Sequence, residues 1–256
     1  MHIEERKLND YEGKDKIISS FEMREKLKNE PKSKYIPTGI TGLDSLIYGF
    51  QKGQLIIVSG ITGEGKTTLC RTLTYNLENA NYNCLWFSYE EEIKRFLDKF
   101  PQLPLFYLPE HLAGNSLDWI EERIIESQLK YSTEIVFIDH LHYLIDLQAK
   151  INMSLHIGSI CRYFKRLAID KKLVIIVVAH LQKIKTDDTP DVQDIRDSSF
   201  IGQEADKVLM IWRSIDVENT AIIKLAKDRE VGKKNNLIDL YYKDGIFREI
   251  SNAEPV

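Results

Sequence analysis

The sequence predicts an α/β fold: a mainly parallel sheet, covered by helices on both faces and finished by antiparallel hairpins. Three observations lead to this prediction. Apolar runs alternate with helical patterns, a glycine-rich turn joins one such run to a helix, and alternating segments occur near the C-terminus. Apolar runs separated by helices are typical of parallel strands, because both faces of such a sheet are covered.

Residues 1–35 differ from the rest of the chain in composition and pattern. The segment "KDKIISSFEMREKLKNEPKS" is charged and helix-prone, and we expect a helix from about Ile17 to Lys28. Its apolar stripe is thin and consists of Ile17, Phe21 and Met23 or Arg24. A helix with so little to bury usually packs on another surface. We therefore predict a linker or oligomerisation helix within residues 1–35 and one large domain over residues 36–256.

From Ile36 onward, five apolar runs each predict a strand: "QLIIVS", "NCLWFS", "LPLFYL", "EIVFID" and "KLVIIVVAH". Helical patterns lie between them, and one begins at Leu117 after the capping candidates Asn115 and Ser116. The following helix has the apolar stripe Met153, Ile157, Ile160, Phe164 and Leu167. We expect this stripe to face a core.

Beyond Ala179 the pattern changes. The segments "KVLMIWRS", "TAIIKLAKDR" and "NLIDLYYKDGIFREI" alternate in hydrophobicity, and the last contains the turn sequence "KDG". Alternation with a tight turn is typical of antiparallel hairpins. The sheet is therefore expected to end in hairpins.

Composition disfavours several classes of protein. In the 256 residues no apolar run approaches the ~20 residues of a bilayer span, and the N-terminus is too polar for a signal peptide. We therefore expect a protein of the cytoplasm, or of an equivalent compartment such as the nucleoid or an organelle matrix, with no membrane partner. Cys70, Cys84 and Cys161 are expected to be reduced core thiols rather than disulfide or zinc ligands. A net charge of −4 attracts no polyanion, so any contact with nucleic acid must use local basic groups.

The turn after the first apolar run, "SGITGEGKTTLC", satisfies the phosphate-loop pattern G-x-x-x-x-G-K-[ST], with a strand before it and a helix after it. Glycines let backbone N–H groups surround a phosphate, and the helix N-terminus adds positive potential. Lys66 is expected to reach the β- and γ-phosphates, and Thr67 to help hold Mg²⁺. The nucleotide-binding residues expected here are Gly60, Thr62, Gly63, Glu64, Gly65, Lys66, Thr67 and Thr68.

Two carboxylates complete the predicted site. Asp139 ends the buried run "EIVFID" and is expected to bind magnesium through water, since an isolated buried carboxylate would be costly there. Glu90 in "LWFSYEEE" is expected at the tip of a strand beside the phosphate loop, where it can orient or deprotonate the attacking water. Glu91 and Glu92 suit the solvated start of the next helix better, and Glu91 is the alternative base.

The segment "TGITGLDSLIYGFQKGQLIIVSGITGEGKTT" resembles the opening of the RecA-like P-loop ATPase core shared by recombinases and hexameric replicative helicases of the DnaB type. The motifs "FSYEE", "VFIDHLHYLI", "VVAHLQK", "IGQEADKVLMIWR" and "LAKDR" follow in the order of that family, with features of its phage and mitochondrial, Twinkle-like branch. The resemblance covers about Ile36 to Ile250. It implies a homo-oligomeric ring, a hexamer by family analogy, that acts as a 5′–3′ helicase or translocase on single-stranded DNA and is driven by ATP or another NTP with Mg²⁺.

The resemblance also implies roles for residues outside the phosphate loop. His180 would sense the γ-phosphate, and Gln203 would lie near His180 and act in the same sensing of the γ-phosphate. Arg213 and Phe247 would enclose the nucleotide base. The alternatives are a hydrogen-bonded histidine at a strand end for His180 and ordinary packing roles for Arg213 and Phe247.

Two cations in "AKDRE", Lys227 and Arg229, would reach the γ-phosphate bound by a neighbouring subunit. They occupy alternate strand positions, so their side chains are expected to point to one face. An ordinary charged edge strand is the alternative.

Family analogy places DNA contacts in the segments "DLQAKIN" and "QKIKTDDTPDVQDIRDSS". The second contains the candidate contacts Lys183, Lys185 and Arg196, together with five aspartates. Phosphate contacts would therefore come from individual side chains or backbone N–H groups, not from a basic patch.

Three functions compete. They are a ring translocase, a RecA-like recombinase or KaiC-like regulatory ATPase, and a non-catalytic nucleotide-gated scaffold. The ordered motifs favour the first, and Glu90 beside an intact phosphate loop disfavours the third. Because only the helix within residues 1–35 corresponds to the region that precedes the family's core, the chain is expected to be a helicase core cut from a longer protein or a free-standing relative.

Overall fold

The computed structural model describes residues 11–13, 15–30, 34–145, 153–181, 190–195, 198–214, 217–232 and 236–250. The chain divides into two compact units, Met1–Lys34 and Tyr35–Val256. In the first, helix α1 (Ser20–Leu27) begins with a capping box in which Ser19 and Glu22 satisfy each other's backbone N–H groups. None of the residues in α1 is buried, and Phe21 is 78% exposed. Local capping therefore defines this helix.

The described part of the second unit contains a single sheet. Its strands are β1 (Leu55–Gly60), β2 (Cys84–Ser88), β3 (Ile135–Asp139), β4 (Val174–His180), β5 (Lys207–Arg213), β6 (Thr220–Asp228), β7 (Leu237–Lys243) and β8 (Ile246–Glu249). Their spatial order is β2-β3-β4-β1-β5-β6-β7-β8. Neighbours from β2 to β5 are parallel and neighbours from β5 to β8 are antiparallel. The predicted fold class is confirmed.

Helices cover both faces of this sheet. They are α2 (Thr41–Ile47), α3 (Lys66–Asn79), α4 (Ile93–Asp98), α5 (Leu117–Tyr131), α6 (Met153–Lys171) and α7 (Ser198–Glu204), with 3₁₀ segments at Leu141–Leu144 and Val192–Asp194. Along β1, Ile56 and Val58 contribute to the apolar core that contains α2 and α3 residues. Leu55 and Ile57 contribute to the opposite core, which contains α5 and α6 residues. Alternate side chains of a central strand are therefore buried on both faces.

Several local expectations are confirmed. The Ser116 hydroxyl caps α5 by accepting from the Trp119 N–H. In α6 the predicted stripe faces a core, with Ile157, Ile160, Phe164 and Leu167 buried. The "KDG" turn joins β7 to β8 with positive φ at both Asp244 (52°) and Gly245 (88°), the backbone that a two-residue hairpin favours. All three cysteines are free and buried, and burial raises the pKa of the Cys161 thiol to about 12.

One predicted strand is wrong. The run "LPLFYL" forms no strand and pairs with β2 only at Tyr107, which donates to the Cys84 carbonyl and accepts from Trp86, both at 2.8 Å. Pro104 has no N–H to donate, so the run cannot extend the ladder along the sheet edge. The run instead buries Phe106 in the core that contains Trp86.

Of the helices in the described residues, none is both long and apolar enough for a bilayer crossing.

Candidate active site

The phosphate loop connects β1 to α3, and its glycines are required by its geometry. A Cβ on Gly60 would lie 2.1 Å from the carbonyl oxygen of Ile211 on the neighbouring strand. Gly63 and Gly65 have φ values of 85° and 107°, a region that side chains disfavour. The Lys66 ammonium donates to the carbonyl oxygens of Gly60 (3.0 Å) and Ile61 (2.9 Å). The loop backbone therefore surrounds the Lys66 ammonium at the start of α3.

The remaining nucleotide-binding candidates lie in or near this loop. Thr62 is exposed, and Glu64 accepts a hydrogen bond of 2.7 Å from the backbone N–H of Arg213. Thr68 accepts from the Arg71 guanidinium at 3.0 Å. These contacts join the end of β5 and the first turn of α3 to the loop.

Phe247 is 7% exposed and packs in the core that contains Ile211. A Cβ on Gly65 would come within 2.8 Å of its ring. The two candidates for enclosing the base therefore both border the phosphate loop: Phe247 through its ring and Arg213 through its backbone.

Asp139 joins the phosphate loop to the end of β3. The Thr67 hydroxyl donates to Oδ2 of Asp139 at 2.7 Å. Oδ1 is buried without a hydrogen-bond partner among the described residues, in a side chain that is 1% exposed. Burial raises the pKa of Asp139 to about 6, and the Thr67 hydrogen bond opposes that shift. A hydroxyl beside an unsatisfied carboxylate oxygen is an oxygen-donor set that fits Mg²⁺.

Glu90 reaches the site differently from the prediction. The expectation that its strand adjoins the phosphate-loop strand is wrong, because β3 and β4 separate β2 from β1. The backbone N–H of Tyr89 donates to the Asp139 carbonyl at 2.7 Å, which holds the chain after β2 against the end of β3. Oε2 of Glu90 lies 3.3 Å from Nδ1 of His140. Glu91, the alternative base, instead forms an ion pair with Lys99.

His180 ends β4, directly beside the phosphate loop. It pairs in register with Gly60, and the Ser59 hydroxyl donates to the Ala179 carbonyl at 2.9 Å. Its ring packs edge-on against His140 with centroids 4.1 Å apart. Burial is the main cause that lowers the pKa of both imidazoles to about 4, and the Lys66 charge adds to it. Both rings are therefore neutral near pH 7.

The prediction that Lys227 and Arg229 occupy alternate strand positions is only half right: Lys227 lies in β6, whereas Arg229 lies in the turn that follows it. Both side chains nevertheless reach the same helix, α7. The Lys227 ammonium donates to the carbonyls of Gly202 and of Ala205, the latter at 2.7 Å. The Arg229 guanidinium donates to the Gln203 carbonyl. Both cations thus bind backbone carbonyls at the C-terminal end of α7, where the helix dipole favours positive charge. The contacts made by Gln203 here involve its backbone.

The predicted DNA contacts Lys183, Lys185 and Arg196 lie outside the described residues, as does the whole of "DLQAKIN".

Sequence reasoning assigned no role to His140, although its imidazole stands between Glu90 and His180. One signal was available: His140 directly follows Asp139 in "VFIDHLHYLI". The ends of adjacent parallel strands meet at one edge of the sheet, so a polar residue after β3 must lie near those after β2 and β4.

Two family models match the chain. The one described as DnaB-like helicase C terminal domain matches residues 91–248, and the one described as KaiC matches residues 36–105, which include the phosphate loop.

Curated relatives include the replicative DNA helicase DnaB of Helicobacter pylori, 27% identical over 254 residues that cover 84% of this chain and 51% of that protein. DnaB of Rickettsia prowazekii is 24% identical over 295 residues, covering 89% and 60%. The probable replicative DNA helicase of Trieres chinensis is 27% identical over 217 residues, covering 70% and 47%. The chain thus spans about half the length of the curated relatives it matches.

Solved structures that share the fold include two of similar TM-score. One, described as an ATPase domain, has a TM-score of 0.76 and 18% identity, and covers 90% of this chain and 96% of that one. A DnaB-like replicative helicase described with its primase interactions has a TM-score of 0.77 and 19% identity, and covers 90% and 67%. At these identities the likeness establishes the fold alone.

Proposed function

The chain belongs to the DnaB-like helicase C-terminal domain family, and we propose that it is an ATP-dependent ring helicase or translocase acting on single-stranded DNA. One observation carries the catalytic half of the proposal: the Thr67 hydroxyl of the phosphate loop donates to the Asp139 carboxylate at 2.7 Å. The phosphate loop and the Asp139 carboxylate therefore lie together at the carboxyl end of the parallel strands, where parallel α/β sheets bind their ligands.

In this proposal Lys66 leaves the carbonyls of Gly60 and Ile61 and binds the β- and γ-phosphates of ATP, while N–H groups at the start of α3 bind phosphate oxygens. Thr67 and Asp139 would hold Mg²⁺, which when bound neutralises charge on the phosphates. The buried Oδ1 of Asp139 supports this assignment, because it has no hydrogen-bond partner among the described residues.

Glu90 is proposed as the general base for the attacking water. Its side chain is 40% exposed, so water can reach it, and electrostatic interaction with Lys66 connects it to the phosphate loop. His180 would donate a ring N–H to an oxygen of the γ-phosphate, a role supported by its register with Gly60 at the start of the loop. Glu91 is less suited, since Lys99 already neutralises it.

The second half of the proposal concerns assembly into a homo-oligomeric ring, of six subunits by family analogy. Lys227 and Arg229 would reach the γ-phosphate held by the next subunit, where they stabilise the charge that develops during transfer. Their carbonyl contacts on α7 support a role in which that helix presents them. The exposed apolar side chains of α1, including Phe21, would pack on a neighbouring subunit as a linker helix.

DNA would pass through the ring, contacted by Lys183, Lys185 and Arg196. Since the surrounding segment is rich in aspartate, these contacts would be individual phosphate bonds. Neutralising all three should weaken single-strand binding and lower its salt slope by about 0.7 per lost contact, measured by fluorescence anisotropy across salt concentrations.

The deciding experiment compares wild type and Glu90→Gln for DNA-stimulated ATP hydrolysis and for displacement of a forked strand. We expect wild type to hydrolyse ATP faster with single-stranded DNA and to move 5′ to 3′. Glu90→Gln should bind nucleotide normally while turnover falls by ~100-fold or more, as for a lost general base. Glu91→Gln is the matched control and should retain activity. A wild type that hydrolyses ATP but displaces no forked strand, and that forms filaments or regulatory rings with nucleotide, would favour the recombinase or KaiC-like alternative.

A further inference from the structure

Glu90, His140 and His180 form a compact donor cluster at the carboxyl end of the sheet. Each offers one ligand atom, and these atoms lie within 4.8 Å of one another. The three residues follow or end the adjacent strands β2, β3 and β4, so the sheet itself brings them together.

The donor set differs chemically from that at Thr67 and Asp139. Two imidazoles and one carboxylate are ligands of zinc-like ions, which bind three such groups and leave the fourth position to water. Mg²⁺ prefers oxygen ligands and disfavours this set. Oε2 of Glu90 and Nδ1 of His140 are 3.3 Å apart. Two ligands of a tetrahedral zinc ion are separated by about 3.3–3.4 Å, given zinc–ligand bonds of about 2.0–2.1 Å.

Burial supplies an independent observation. His140 is 8% exposed, and Nδ1 of both His140 and His180 is buried with no hydrogen-bond partner among the described residues. Oε2 of Glu90 lies 3.3 Å from Nδ1 of His140 but forms no hydrogen bond with it. Buried ring nitrogens are ordinarily hydrogen-bonded, because leaving one unsatisfied is costly. A metal ion would satisfy them, and the partly exposed Glu90 leaves an entrance from solvent.

We propose that Glu90, His140 and His180 bind a zinc-like divalent ion at a site distinct from the magnesium site proposed at Thr67 and Asp139. Its consequence rests on the proposed function: an ion there would occupy the base Glu90 and the γ-phosphate residue His180 together. It would therefore inhibit ATP hydrolysis even when Mg²⁺ is saturating. The site would make the enzyme sensitive to free zinc.

Binding is tested directly, without nucleotide. The full chain, stripped of metal, is titrated with Co²⁺, whose visible absorption reports tetrahedral nitrogen and oxygen ligands, and Zn²⁺ is then added to displace it. We expect one Co²⁺ per chain, displaced by Zn²⁺ and not by excess Mg²⁺. The variants His140→Asn and His180→Gln should each weaken Co²⁺ binding by at least about tenfold, the lower end of the loss that is typical even for outer-shell partners of metal ligands.

His111→Asn is the matched control, because His111 is exposed and lies outside the cluster. Circular dichroism should show that all variants are folded. The proposal fails if no absorption band forms, or if folded His140→Asn and His180→Gln bind Co²⁺ as wild type does.

A second measurement separates this proposal from the catalytic one. ATP hydrolysis by wild type is followed at fixed free Zn²⁺ with saturating Mg²⁺, and inhibition is expected over the concentrations at which Zn²⁺ displaces Co²⁺. Binding without inhibition would confirm the metal site and refute the assigned role of Glu90. Hydrolysis that proceeds normally in a chain that binds no Co²⁺ would refute the metal site and leave the catalytic role intact.

Discussion

The substitution Lys207→Met should lower the free energy of unfolding by about 3–5 kcal/mol, the cost of leaving one charge of a buried ion pair without its partner. Lys207 and Asp228 form an ion pair of 2.7 Å, and both side chains are 0% exposed. A second carboxylate, Glu230, lies 3.3 Å from the Lys207 ammonium but is 36% exposed, so solvent can still hydrate it after the substitution. The penalty should therefore come mainly from Asp228.

Asp228 also stabilises the turn after β6. Its Oδ1 accepts from the backbone N–H groups of Glu230 (2.7 Å) and Val231 (3.2 Å). Asparagine at this position can still accept both bonds and carries no charge. The double variant Lys207→Met/Asp228→Asn should thus recover at least about 1.5 kcal/mol relative to the sum of the single changes, which is a typical coupling for directly contacting groups.

Urea unfolding followed by circular dichroism at pH 7 measures both quantities. Lys52→Met is the matched control: Lys52 pairs with Glu134 at the same 2.7 Å, but these side chains are 46% and 28% exposed. We expect that control to lose no more than about 1 kcal/mol, as exposed pairs do. If Lys207→Met and Lys52→Met were equally destabilising, the argument from burial would be refuted.

Three further predictions follow from the site. Lys66→Ala and Arg229→Ala proteins should each be inactive. In an equal mixture that exchanges subunits, about one quarter of the interfaces should have both groups intact and regain ATPase activity. If no activity returns although labelled subunits show exchange, Arg229 does not belong to a shared site. Gly60→Ala should weaken nucleotide binding and destabilise the chain by about 1–3 kcal/mol, because its Cβ would lie 2.1 Å from the Ile211 carbonyl oxygen. Nucleotide titration and urea unfolding measure the two effects. A variant with wild-type affinity and stability would contradict the described loop. The pKa of His180 is lowered from 6.5 to about 4, chiefly by burial, so its contribution to stability is present above pH 6.5 and is lost as pH falls towards 4. His180→Gln should therefore lose less stability than wild type between pH 7 and pH 5 in urea unfolding, and parallel losses would show that His180 is not desolvated.

Much of this protein could be predicted from the sequence, because the deciding interactions are local. A phosphate loop needs closely spaced glycines, one lysine and one hydroxyl, all within a few residues. Ser116 caps α5 through a bond to Trp119, three residues away. The stripe of α6 and the "KDG" turn depend on spacing along the chain and on backbone conformation. Such features can be predicted because no distant partner is needed to define them.

Other features were decided by the tertiary structure. The order of the strands placed β2 at the sheet edge, with two strands between it and the phosphate-loop strand, so the route by which Glu90 approaches the site could not be derived from its position in the chain. The position of His140 between Glu90 and His180 depends on three strand ends that are 40 or more residues apart in sequence. Pro104 prevents the apolar run around it from extending the edge ladder, and Phe106 packs in the core instead. Hydrophobic pattern specifies that a segment is buried, but which segments pair depends on the free energy of the whole packed sheet.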